Sequence, residues 1–163
     1  MTVLTERLYG EEDFAQLREQ SLQNERLRQH LNIHTDYSDP CQRLFVAMQP
    51  SSYVVPHRHT SPAKSETFIV LRGTVGILIF NDDGDVARSE LLGPGQKAQV
   101  CDIPPGLWHT AVALDSESLF MEVKVGPYSP IDSVDVAPWA PVAGSEGVAD
   151  YLHILKCSLP DQS

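Results

Sequence analysis

Between about Arg43 and Val125 the chain is built from short segments rich in Val, Ile, Phe and Thr, each closed by a turn signal. No other feature limits the possible folds as much. The segments are RLFVAMQ, SYVVPH, SETFIVL, TVGILIF, ARSELL, KAQVCDI, HTAVAL and SLFMEVKV. The breaks fall at Gln49-Pro50-Ser51-Ser52, Arg72-Gly73, Asn81-Asp82-Asp83-Gly84, Gly93-Pro94-Gly95 and Asp115-Ser116. Roughly eight strands at about ten-residue spacing, with no helical stretch between them, predict an antiparallel sandwich or barrel.

The flanks differ in character. From Glu11 to about Gln29 the sequence is polar, lacks Gly and Pro, and is rich in helix formers. Phe14, Leu17, Leu27 and Leu31 recur near helical spacing, which predicts one amphipathic helix. After Gly126 come Pro127, Pro130, Pro138 and Pro141 with Trp139, expected as an extended tail wrapping the barrel and ending in a short helix over Val148 to Lys156. A chain of 163 residues can bury one sizeable core but not two. The expected organisation is therefore a single domain, with a helical extension over 1–42, a barrel over 43–126 and a packed tail over 127–163.

Charge and composition narrow the function classes. Twelve Lys and Arg against 22 Asp and Glu give a net charge of −10, which argues against nucleic acid or an anionic membrane as partner. No apolar run approaches the roughly 20 residues that span a bilayer. The first 30 residues show no secretory pattern, so the cytoplasm is the expected location. Cys41, Cys101 and Cys157 are too widely spaced for a disulfide framework or a zinc knuckle and are expected as buried reduced thiols.

The histidines carry the chemistry. His57 and His59 form an HxH pair, and on an extended segment both imidazoles point to one face. Glu66 opens the SETFIVL segment. Pro104-Pro105-Gly106-Leu107-Trp108-His109 is a Pro-Gly turn that ends one strand and delivers His109 at the start of the next. Three neutral imidazoles and one carboxylate suit a single borderline divalent ion, namely Fe, Zn, Mn, Ni or Co, with two octahedral positions left open. Glu66 is expected as the fourth ligand, or else as a general base beside the metal.

HxH followed by Glu and Gly resembles the first cupin motif, and PxGxxH resembles the second. The resemblance implies an all-β double-stranded jelly-roll (cupin) barrel holding a metal through His57, His59, Glu66 and His109. The runs PHRHTSPAKSETFIVLRGTV, IPPGLWHTAVAL, EVKVGPYSP and APWAP look more closely like the WbuC-type cupin fold metalloproteins, over about Asn32 to Pro141. That likeness implies a link to surface-polysaccharide biosynthesis. It suggests an isomerase or epimerase acting on a sugar or sugar nucleotide. An Fe(II)-dependent dioxygenase of a small molecule and a non-catalytic small-ligand-binding cupin are the alternatives. A homodimer is expected by the same analogy. The sequence departs from the common pattern in two places: six residues separate His59 from Glu66, and no Asn follows His109.

Lys64, Arg58 and Glu122 are the candidate substrate-binding residues, the first two by charge and position. Glu122 shares a strand face with Lys124 and could project into the cavity. Ala111 and Ala113 share the face of His109 and would leave room for a ligand. Trp108 and Trp139 read as packing residues, and His34 as a possible neighbour of the cavity edge. His30 and His153 are expected on helix surfaces. Asn81-Asp82-Asp83-Gly84-Asp85 resembles a calcium loop only in composition and reads as a hairpin turn.

Overall fold

The computed structural model describes residues 6–60 and 62–161, so the outermost positions of the expected 1–42 extension and 127–163 tail lie outside the described residues. Helix α1 spans Glu11–Gln23 and helix α2 spans Val148–Cys157. Between them lie β1 (Arg28–Asn32), β2 (Cys41–Met48), β3 (Glu66–Arg72), β4 (Val75–Phe80), β5 (Val86–Leu92), β6 (Val100–Ile103), β7 (Trp108–Ala113) and β8 (Leu119–Val125). One sheet has the order β1-β2-β8-β3-β6, the other β5-β4-β7, and all pairings are antiparallel.

The segment SYVVPH, expected as a regular strand, takes part in the second sheet only through His57. The His57 N–H donates to the His109 carbonyl at 3.0 Å, and the His109 N–H donates back at 2.8 Å. With that segment beside β7, the order β2-β8-β3-β6 faces the order 53–57-β7-β4-β5. This is the expected all-β double-stranded jelly roll of the cupin type. Asn81 to Asp85 makes the expected hairpin, closed by Asn81 N–H to Asp85 carbonyl at 2.9 Å.

Each sheet is covered on both faces, which is why its strands read as nearly continuous apolar runs. Val46, Met48, Phe68, Val70 and Phe120 fill the barrel with Ile77 and Ala111 from the opposite sheet. Phe45, Ala47 and Leu119 point outward and pack against Leu17 of α1. On the other side, Leu78, Phe80 and Val112 are covered by Ala137 of the tail and by Leu152 and Leu155 of α2.

The helix expected over Glu11 to Gln29 stops at Gln23. Asn24 is extended and Leu27 adopts φ 53, after which β1 pairs with β2 in the register Arg28↔Met48 to Asn32↔Leu44. Backbone pairing with a bare sheet edge outweighs helix propensity here. Leu27 and Leu31 are therefore not helical, and His30 is an exposed strand residue. The expectation of buried thiols also fails in part: all three cysteines are free, but Cys41 and Cys157 are exposed, at the ends of β2 and α2. No helix among the described residues is long and apolar enough to cross a membrane.

Candidate metal centre

Three chain segments converge inside the barrel. The extended stretch before β3 carries His57 and His59, the first residue of β3 is Glu66, and β7 brings His109 from the facing sheet. Imidazole centroids are 4.5 Å apart for His57 and His109, 5.1 Å for His57 and His59, and 5.8 Å for His59 and His109. One donor atom from each of the four residues lies within 4.8 Å of all the others. The Nε2 atoms of His59 and His109 each stand 3.2 Å from Glu66 Oε2.

The unusual His59-to-Glu66 spacing leaves this convergence intact because the extra residues form a local detour. Thr60 bridges Ala63. Asp135 holds the near end of the detour, accepting from the Thr60 N–H at 2.8 Å and its hydroxyl at 2.6 Å. Strand β3 then begins in register, with Glu66 opposite Ile103 and Lys124.

The imidazoles are oriented by main-chain carbonyls. His57 Nδ1 lies 3.0 Å from the Val55 carbonyl oxygen, and His109 Nδ1 lies 2.8 Å from that of Leu107. A proton on Nδ1 donated to these acceptors leaves the Nε2 lone pair facing the cluster, the arrangement metal-ligating histidines adopt. His109 shows why a cation is needed. Its Nδ1 meets a carbonyl and its Nε2 meets a carboxylate, yet a neutral imidazole has one N–H for two acceptors. Either a second proton or a metal ion must join Nε2 to Glu66.

Electrostatics favour two of the protonation states a metal requires, a neutral His57 and an ionised Glu66. Burial, and then the neighbouring His109, push the His57 pKa down to about 3, so this imidazole stays neutral. Burial alone would raise the Glu66 pKa, but hydrogen bonds from His109 and His59 and the charge of Lys124 outweigh it and hold the group well below the usual carboxylate range. Lys124 Nζ donates to Glu66 Oε1 at 3.2 Å and also contacts Glu122. Burial and the adjacent Glu66 push Glu122 up to about 8, so near neutrality it keeps a proton.

The remaining expected residues are placed less uniformly. Glu122 and Ala111 line the same cavity as His57, Glu66 and His109, a space of about 220 Å³. Lys64 is buried and turned toward the tail, where it donates to the Pro127 carbonyl and to Ser129 Oγ. Arg58 lies 4.2 Å over the Trp108 ring and pairs with Asp135 at 3.3 Å. Trp108 and Trp139 pack edge to face at 4.9 Å. His34 is buried with its Nδ1 accepting from the Arg43 N–H at 3.0 Å. Sequence reasoning missed Arg26 and Arg28, which line the metal-side cavity. Reading 28–32 as a strand would have paired Arg28 and His30 on one face, but the helix expectation hid that signal.

The family described as a domain of unknown function (DUF6016) matches residues 9–92, just over half of the chain. The chain belongs to the DUF6016 family. The DUF6016 match runs from the approach to α1 to the end of β5, so it includes His57, His59 and Glu66 but not His109. No curated protein matches the chain. Among solved structures, KdgF from Halomonas sp. is similar at 18% identity over 63% of this chain and 82% of that one, with a TM-score of 0.49. Oxalate decarboxylase from Bacillus subtilis is similar at 19% identity over 63% of this chain, with a TM-score of 0.48. An oxalate oxidase in complex with glycolate is similar at 20% identity over 62% of this chain, with a TM-score of 0.47. The chain spans 26% of the length of the decarboxylase and 51% of the oxidase. The strand order, not these likenesses, establishes the jelly roll.

Proposed function

We propose that this protein is a metal-dependent enzyme that moves a proton on a small hydroxylated or carbonyl-bearing substrate, within the isomerase or epimerase class. The observation that carries the reading is the convergence of His57, His59, Glu66 and His109, with donor atoms within 4.8 Å of one another. Three imidazoles and a carboxylate suit one Fe, Zn, Mn, Ni or Co ion. Bound there, such an ion supplies Lewis-acid polarisation of a substrate oxygen.

The chain's own residues supply the rest. Glu66 is committed to His59, His109 and Lys124 and acts as a ligand, not as a free base. Glu122 lines the same cavity as His57, Glu66 and His109 but makes no hydrogen bond to the histidines among the described residues, which places its carboxyl to hold and return a proton. The apolar wall of Val46, Phe68 and Phe120 excludes bulk water around it. The likeness to WbuC-type cupins supports a sugar as the substrate. A cavity of about 220 Å³ admits the reacting sugar portion but not a whole sugar nucleotide.

Metal-free protein reloaded with each candidate ion should catalyse exchange of substrate hydrogen with deuterated solvent, without consuming oxygen. Glu122→Gln should lose at least 100-fold of that exchange while keeping its metal. Iron-dependent oxygen uptake would replace this reading with a dioxygenase, and tight ligand binding without exchange would replace it with a binding protein.

A further inference from the structure

The cavity beside the four-residue cluster has one wall that neither histidine motif supplies. It comes from β1 and the residue pair before it, through Arg28 and Arg26. In the β1–β2 ladder Arg28 stands opposite Met48 and His30 opposite Val46. Met48 and Val46 face the barrel interior, so Arg28 shares that face. Arg28 is anchored there: its Nη1 donates to the Tyr53 carbonyl at 2.9 Å and to Ser52 Oγ at 3.2 Å. Among the described residues, the Nε–Nη2 edge makes no hydrogen bond and no carboxylate lies within 4.0 Å of either Arg26 or Arg28.

The charges in this space do not balance. Arg26, Arg28 and Lys124 face the carboxyl groups of Glu66 and Glu122, and Lys124 is already held between those two groups. A divalent ion would add two further positive charges. A partly desolvated cation without a partner is unfavourable. Burial, and then the charge of Arg26, depress the Arg28 pKa, and the more distant charge of Glu122 only partly offsets them. The free edge of a guanidinium is a two-donor fork matched to the two oxygens of a carboxylate.

We propose that β1 is the anion-recognising wall of the site, and that the ligand is a small organic carboxylate docked on the Nε–Nη2 edge of Arg28, with Arg26 at the mouth. This rests on the metal reading only for the ligand's second oxygen function, which faces the ion. Size narrows the class. At about 220 Å³ the cavity holds roughly seven waters at about 30 Å³ each, below the range of drug-sized ligand sites. Short hydroxy or oxo acids fit, acids derived from a sugar among them; nucleotides do not.

The test uses the full chain, metal-free and loaded with Co(II), whose visible spectrum reports the four-ligand site. Calorimetry measures the affinity of malonate, succinate and glutarate, with inorganic phosphate and ethylene glycol in parallel. At least one dicarboxylate should bind the Co(II) form at least tenfold more tightly than phosphate, and ethylene glycol should not bind. Arg28→Lys should weaken that dicarboxylate at least tenfold, because the charge remains but the fork is lost, and the Co(II) spectrum without ligand should not change. Arg26→Met, an exposed position that keeps the protein folded if Arg28 variants do not, should weaken it about threefold. Equal affinity for phosphate, or no effect of either variant, overturns the proposal. A protein that fails to bind Co(II) overturns the metal reading instead, and the same titrations on the metal-free form still decide for or against the arginine wall.

Discussion

Glu66 is the residue on which the site turns. It is buried at 2% exposure and meets His59, His109 and Lys124 at 3.2 Å each. A buried carboxylate with this company costs little only while cations or donors surround it. Glu66→Gln should therefore weaken metal binding by more than the roughly 10- to 100-fold typical of a residue that only orients a ligand. A loss inside that range, measured by competition with a metal indicator, would place Glu66 behind the ligands, and no loss would remove it from the site. His109→Ala should lose the metal and keep a β-rich far-UV spectrum, because FIVL and ILIF build the barrel without it. The motif residues were legible because their chemistry is local: HxH on an extended segment and a Pro-Gly turn before His109 need no tertiary knowledge. Arg58 and Lys64 were not legible in this way. Charge near a motif does not reveal that Trp108, Asp135, Pro127 and Ser129 engage them.

At the scale of elements, helix α1 serves as a cover for the outer face of the larger sheet. Leu17, 3% exposed, plugs the patch formed by Phe45, Ala47 and Leu119. Leu17→Ala should cost about 2–5 kcal/mol of stability, read as a lower urea midpoint with an unchanged slope. A cost below about 1 kcal/mol would mean that the helix is dispensable to the fold. The β3–β4 turn sets a second test. Gly73 has φ 64, and a Cβ there would sit 2.3 Å from Asp115 Oδ1 and 2.9 Å from the Ser118 backbone. Gly73→Ala should destabilise by more than about 1 kcal/mol, whereas an alanine in compatible geometry would stabilise slightly. Turn positions such as Arg72-Gly73 and Asn81 to Gly84 were readable because the residues that permit them are few. The end of α1 was not, since nothing near Asn24 forbids another helical turn. The partner that draws Arg28–Asn32 into a strand, β2, begins at Cys41, beyond any local window.

For the molecule as a whole, three apolar clusters hold the fold: inside the barrel, between the smaller sheet and the tail, and beneath α1. None requires an ion. Chelation should leave the far-UV spectrum intact and lower the thermal midpoint by the modest amount expected from loss of a bound ligand. Collapse of the spectrum on metal removal would show instead that the site is structural, as in a zinc finger. The sequence by itself determined the jelly-roll class, the approximate strand positions and the His57, His59, Glu66 and His109 set. The apolar segments and turn residues point to an antiparallel sandwich or barrel, and the resemblance of the two histidine motifs to the cupin pattern narrows that to the jelly roll and its four residues; both signals are expressed over a few neighbouring positions. Only the tertiary structure decided that 28–32 is a strand, which side chains and carbonyls engage Lys64 and Arg58, and that Arg26, Arg28 and Glu122 share the cavity with the histidines. Those outcomes depend on which distant strand offers an unpaired edge and on which charges meet across a closed barrel, and neither is encoded within one segment.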